Sequence, residues 1–155
     1  MTMEIDLAVQ RFADGYSCSQ AVFSTFAPRL GVEDDVALKL ASAFGGGIGR
    51  RGEVCGAVTG ALMALGLARG HADNAEESKT VTYAVVDEFL RRFGELHGAV
   101  VCRTLIGHSI STPEGLQGAR DAGVFKTVCP DLVADATAIV ASILDRRPDQ
   151  DDASQ

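Results

Sequence analysis

The stretch Glu53-Val54-Cys55-Gly56-Ala57-Val58-Thr59-Gly60-Ala61-Leu62-Met63-Ala64-Leu65-Gly66-Leu67-Ala68-Arg69 decides the fold. Cys55, Val58, Leu62 and Leu65 recur at helical spacing and share one face, which predicts a helix from Glu53 to about Arg69. Gly56, Gly60 and Ala64 share another face, flat enough for a neighbouring helix to approach closely. Glycine inside a helix costs about 1 kcal/mol against alanine, so close packing is expected to offset the cost. The uncharged window, Val54 to Ala68, is shorter than the roughly 20 residues that span a bilayer, so it reads as a buried core helix.

Helical periodicity continues on both sides of this stretch. Upstream, Ile5, Ala8, Val9 and Phe12 mark a first helix. Ser17 and Gln20 form a capping box for a second, with Cys18, Val22, Phe26 and Leu30 on one stripe. Glu33-Asp34-Asp35 opens a third, with a stripe of Val36, Ala37, Leu40, Ala41 and Phe44. A glycine-rich loop, Gly45 to Gly52, leads into the central helix. Downstream, a fifth helix from about Ala75 turns Val81, Val85, Phe89, Phe93 and Leu96 inward and ends at Gly98. A short turn around Cys102 and a weaker helix from about Leu116 to Val128 follow. Pro130 fits the start of a last helix with a clean apolar stripe from Leu132 to Leu144. No alternating strand series is present. The expectation is an all-α, compact single-domain bundle of about six to seven helices over residues 1–147, followed by a disordered acidic tail over 148–155.

The chain has 155 residues, 46% hydrophobic and only 6% aromatic, so it can build a core without disulfides. The net charge of −7, with no long basic cluster, argues against nucleic-acid binding and against direct membrane insertion. The residues Met1 to Asp6 are acidic where a signal peptide would be basic, so a cytoplasmic location is expected, where resting thiols are reduced.

The four cysteines are Cys18, Cys55, Cys102 and Cys129, and no two make a Cys-x-x-Cys. Zinc-ribbon and thioredoxin signatures are therefore absent, and any joint site must be assembled by the fold. Cys18, Cys55 and Cys129 fall at predicted helix starts, where the dipole enriches thiolate. Cys18 and Cys55 also lie on core-facing stripes, so their sulfurs can meet.

Three blocks of sequence carry a resemblance. Tyr16-Ser17-Cys18-Ser19-Gln20-Ala21-Val22, Ala43 to Gly49 and Gly52 to Leu62 closely resemble the redox-active family named for its C_GCAxxG_C_C motif. Cys102-Arg103-Thr104-Leu105-Ile106-Gly107 and Cys129-Pro130-Asp131-Leu132-Val133 extend the likeness over roughly Ala8 to Leu144. The resemblance implies that the four cysteines carry the activity, and it associates such chains with transporter genes.

Two chemistries suit four converging cysteines. In thiol–disulfide exchange, Cys55 or Cys18 attacks and a second cysteine resolves, with Cys102 and Cys129 as a further pair. The alternative is a metal ion or iron–sulfur cluster held by Cys18, Cys55, Cys102 and Cys129. A third reading is a partner-binding module serving a redox protein or a transporter component, with the Gly56/Gly60/Ala64 face joining a homodimer. The loop residues Gly46, Gly47, Gly49, Arg50 and Arg51 form a candidate anion site ahead of a helix start. Their G-x-G-x-x-G pattern follows a helix and not a strand, so dinucleotide binding is rejected. His108, six residues after Cys102 in a loop, is a candidate ligand or proton donor near the thiols, with a surface histidine as the favoured reading; His71 and His97 have no convincing partner, and Glu76, Glu77, Asp87 and Glu88 read as a solvated face.

Overall fold

A computed structural model describes residues 2–154, with side chains described for residues 3–151. Its α-helices are α1 (Thr2–Ala13), α2 (Cys18–Phe26), α3 (Asp34–Ala41), α4 (Gly56–Arg69), α5 (Glu76–His97), α6 (Cys102–Ile106), α7 (Pro113–Asp121), α8 (Val124–Thr127) and α9 (Cys129–Leu144). The described residues contain no strand, only an isolated antiparallel bridge between Val54 and Val101. The architecture is all-α, as expected, but with more segments than six or seven. The surplus comes from α6 and α8, which span a turn or so each. The predicted helix over 116–128 is divided because Gly123 takes a left-handed φ of 72° between α7 and α8.

The small-residue face of α4 explains the core. Helices α2 and α4 share the most extensive contact in the molecule. A β-carbon at Gly60 would stand 2.6 Å from the Ser19 carbonyl oxygen. One at Gly56 would land on the Cys18 sulfur. Both glycines and Ala64 are buried. The face expected to serve either a neighbouring helix or a second copy is therefore spent on α2. Around this seam, Phe26, Phe89, Phe93, Leu65, Ile143 and Val140 are fully buried. The buried face of α9, including Leu132, Val133, Ala136, Ile139 and Ile143, accounts for the apolar composition of Val124–Leu144, which by length and composition alone would suffice to cross a membrane.

A second, smaller apolar cluster unites Cys102, Ile106, Ile110, Ala119, Val124 and Cys129. It closes one side of the bundle with α6, α7 and α8.

Several expectations need correction. The start of α4 lies three residues later than predicted, which makes Cys55 the cap and not a first-turn residue. Val36 (47% exposed), Leu40 (55%) and Leu96 (62%) face outward, because α3 and α5 bury only part of their predicted stripes. Glu88 is no solvated acid; it accepts from Arg92 and from both Nη atoms of Arg146. His97 lies 2.9 Å from Asp135 and against the Phe93 ring. Over the expected disordered tail, Pro148–Ser154 forms a 3-10 helix. Two arginines bring it down: Asp151 is buried, 2.7 Å from Arg69 and 2.9 Å from Arg146. The same expectation for residue 155 lies outside the described residues.

Candidate functional site

All four cysteines begin helices. Cys18 opens α2, Cys55 caps α4, Cys102 opens α6 and Cys129 opens α9. Each is placed by a local cause. The predicted capping box holds Cys18: Ser17 Oγ accepts from the Gln20 amide, and Gln20 Oε1 accepts from the Ser17 amide at 3.0 Å. The Val54–Val101 bridge places Cys55 beside Cys102. The Cys55 amide donates to the Val100 carbonyl at 2.8 Å, and the Cys102 amide donates to the Glu53 carbonyl at 2.6 Å. Gly47 lies directly under this bridge, where a β-carbon would come 2.6 Å from both Cys102 Cβ and the Glu53 amide. Cys129 is delivered by the end of α8 against the small cluster.

The glycine loop takes an unusual path. Residues 46 to 50 all have left-handed φ values, including two that are not glycine: Ile48 at 65° and Arg50 at 64°. Left-handed backbone costs L-residues roughly 1–2 kcal/mol each, and more for a β-branched side chain. Such strain persists only where surrounding bonds over-determine it. Here they do: amides 48, 49, 50, 52 and 53 each donate to carbonyls between Ala43 and Gly47.

The four cysteines line one pocket of about 940 Å³. Cys18 is partly exposed and the other three are buried. All four are free thiols. Their acidities differ sharply. The Cys55 thiol donates to the Cys18 sulfur, and this bond, opposed by burial and aided by the Gly46 and Ser19 amides, lowers the Cys18 pKa to about 7. The same bond, reinforced by burial and by the Cys18 charge, raises Cys55 far above the ordinary thiol range. Burial and the charge on Cys18 push Cys102 up to about 11. Burial, with the charges on Cys18 and Cys102, pushes Cys129 up to about 12. A position at a helix start therefore does not by itself create a thiolate here. Near pH 7 the site holds one part-ionised sulfur among three neutral thiols.

The matching family is described as "Putative redox-active protein (C_GCAxxG_C_C)", and the match runs over residues 16–143. The chain belongs to the C_GCAxxG_C_C family. The fold gives that family's signature a physical meaning in this chain. Cys55 of the Cys-Gly-Ala-x-x-Gly string caps α4 and bonds Cys18, while Gly56 and Gly60 let α2 come close enough for that bond. No curated protein and no solved structure matches the chain.

The geometry sorts the other predicted residues. Gly46, Gly49 and Arg50 line the pocket, whereas Gly47 supports Cys102 from beneath and Arg51 does not reach the pocket. The loop does hold one anion of the protein's own: the Cys18 thiolate accepts from the Gly46 amide. His108 lies outside the lining. A tetrathiolate metal or cluster site at Cys18, Cys55, Cys102 and Cys129 does not fit: among the described residues, no three His, Cys, Asp or Glu side chains gather into a group that could hold a metal ion. Sequence reasoning missed Arg120 and Lys126, which also line the pocket. They stand on α7 and α8, and only the fold relates them to Arg50; no local pattern marks them.

Proposed function

We propose that this protein carries out thiol–disulfide exchange, with Cys18 as the attacking sulfur and Cys55 as the resolving one. The observation that carries the reading is the Cys55-to-Cys18 hydrogen bond at the wall of the shared pocket, which acidifies the one cysteine that is partly exposed. A thiol with a pKa near ambient pH combines a useful thiolate fraction with high nucleophilicity.

The electrons balance as follows. The Cys18 thiolate attacks one sulfur of a substrate disulfide. A Cys18–substrate S–S bond forms, the substrate S–S bond breaks, and one half leaves as a thiolate with the bonding pair. Cys18 then no longer carries the charge that held the Cys55 proton, so the largest cause of the raised Cys55 pKa disappears. Cys55 passes its proton to the departing thiolate or to water and attacks Cys18 Sγ. The second half of the substrate leaves, and a Cys18–Cys55 disulfide remains. The substrate gains two electrons and the protein loses two. In this reading Cys102 and Cys129, which line the same pocket, reduce that disulfide in a second exchange and are left as a Cys102–Cys129 disulfide.

The test is thiol counting by mass spectrometry on reduced protein exposed to stoichiometric hydroxyethyl disulfide. The expected product is one intramolecular disulfide, Cys18–Cys55 or, after the second exchange, Cys102–Cys129, and Cys18–Cys55 alone in a Cys102→Ser/Cys129→Ser variant, with the Cys18→Ser variant inert. Four cysteines that stay free thiols throughout would overturn the reading.

A further inference from the structure

The charged residues lining the thiol pocket are Arg50, Arg120 and Lys126, and no Asp or Glu lines it. This is the reverse of the chain's balance, which is −7 overall. Elsewhere the arginines other than Arg51 are bound to acids, among them Arg11 to Asp34, Arg69 to Asp151, Arg103 to Glu53, and Arg146 to Glu88. Arg50, Arg120 and Lys126 make no side-chain hydrogen bond or salt bridge among the described residues. Nor do they account for the acidity of Cys18, whose causes are the Cys55 thiol and backbone amides. Three exposed cations without protein partners, drawn from a loop and two helices, line one cavity and are free to pair with a charge that comes from outside.

We propose that the pocket selects small disulfides bearing carboxylates, the rim cations pairing with the carboxylates while Cys18 attacks the S–S bond. This deepens the thiol–disulfide reading and rests on it. The volume of about 940 Å³ suits a small molecule rather than a protein surface. The apolar walls, Phe12 and Phe125 among them, accommodate a carbon chain between the charged ends.

Three disulfides of similar size separate charge from reactivity: 3,3′-dithiodipropionate (two negative charges), hydroxyethyl disulfide (neutral) and cystamine (two positive charges). Rates with the reduced protein at pH 7 and low ionic strength are divided by those of 2-mercaptoethanol with the same reagents. The expected order is anionic, neutral, cationic, with about tenfold or more between the extremes and convergence at high salt. A variant carrying Arg50→Gln, Arg120→Gln and Lys126→Gln, confirmed folded by circular dichroism, should lose the order and keep the neutral rate. Binding of 3,3′-thiodipropionate, which has no disulfide to react, should weaken in the same variant. Equal rates, a preference for cystamine, an order that survives in the triple variant, or reaction with oxidised insulin alone would each overturn the proposal and leave the exchange reading standing. Inertness toward every disulfide would instead sink the exchange reading, and the selectivity proposal with it.

Discussion

Cys18 and Cys55 belong to the large core, whereas Cys102 and Cys129 belong to the small cluster that lines the same pocket. The two pairs contain the same atoms, and all four residues begin helices. Only the first pair is pressed together: Gly56 and Gly60 remove the side chains that would hold α2 away from α4, so the Cys55 thiol reaches Cys18. The second pair is bound by apolar neighbours and gains no partner that favours its charged form; both its pKa values rise. Helix position alone does not decide the outcome: backbone amides favour the charged forms of both Cys18 and Cys55, yet only Cys18 is lowered. The hydrogen bond from a neighbouring thiol decides which one ionises.

The hardest test of this contrast removes one sulfur at a time. Cys18→Ser should slow reaction with hydroxyethyl disulfide by about a thousandfold, since it deletes the nucleophile and leaves only thiols whose pKa values are raised. Cys102→Ser and Cys129→Ser should change the first exchange by less than about threefold. Stopped-flow kinetics with the reduced proteins reads both, and equal losses in all three variants would erase the distinction. A smaller effect comes from packing. Gly60→Ala drives a methyl group into the Ser19 backbone and should destabilise the fold by about 2–3 kcal/mol in urea unfolding. Gly94→Ala, on α5 with nothing within 4 Å, should instead stabilise by roughly 0.5–1 kcal/mol. If the two substitutions behaved alike, the close α2–α4 seam would have no energetic meaning.

The comparison also shows what a sequence can reveal. The helices and the capping box of the second helix were legible because period and cap chemistry are local properties of the chain. The glycines of α4 were legible as a demand for a close neighbour, but not as a device that acidifies Cys18, since that needs α2 in place. Val36, Leu40 and Leu96 were misread because periodicity defines a face without saying how much of it a neighbour covers. The left-handed path through Ile48 and Arg50 was hidden for the opposite reason: both residue types avoid it, and only long-range bonds enforce it. Arg120 and Lys126 gave no signal at all, being far from Arg50 in the chain and beside it only at the pocket.

Acidity sharpens the contrast further. Cys18 alkylation by iodoacetamide should titrate near pH 7, with the rate rising as pH rises through that value. In Cys55→Ser the midpoint should move upward, because a hydroxyl at a different reach replaces the thiol that donates now. A midpoint unmoved in that variant would assign the acidity to the Gly46 and Ser19 amides instead.

The smallest expected effect is on stability against pH, and the two kinds of cysteine pull it in opposite directions. Cys18 loses its proton more readily folded than unfolded, so between about pH 7 and the ordinary thiol range near 8.5 the unfolded chain holds more protons and stability rises with pH. Cys102 and Cys129 hold their protons more tightly when folded, to about 11 and 12, and Cys55 shifts the same way. Above about pH 8.5 the unfolded chain is therefore the one with fewer protons at these three sites, and stability falls. Each group contributes at most about 1.4 kcal/mol per pH unit within its window. Thermal unfolding of reduced protein should show a maximum between about pH 8 and 9. Cys18→Ser should abolish the rising limb and keep the falling one. Cys129→Ser should make the falling limb shallower without touching the rise. A curve that falls monotonically from pH 7 in the unmodified protein would mean that Cys18 is no more acidic than its neighbours, and the two pairs would then be chemically alike.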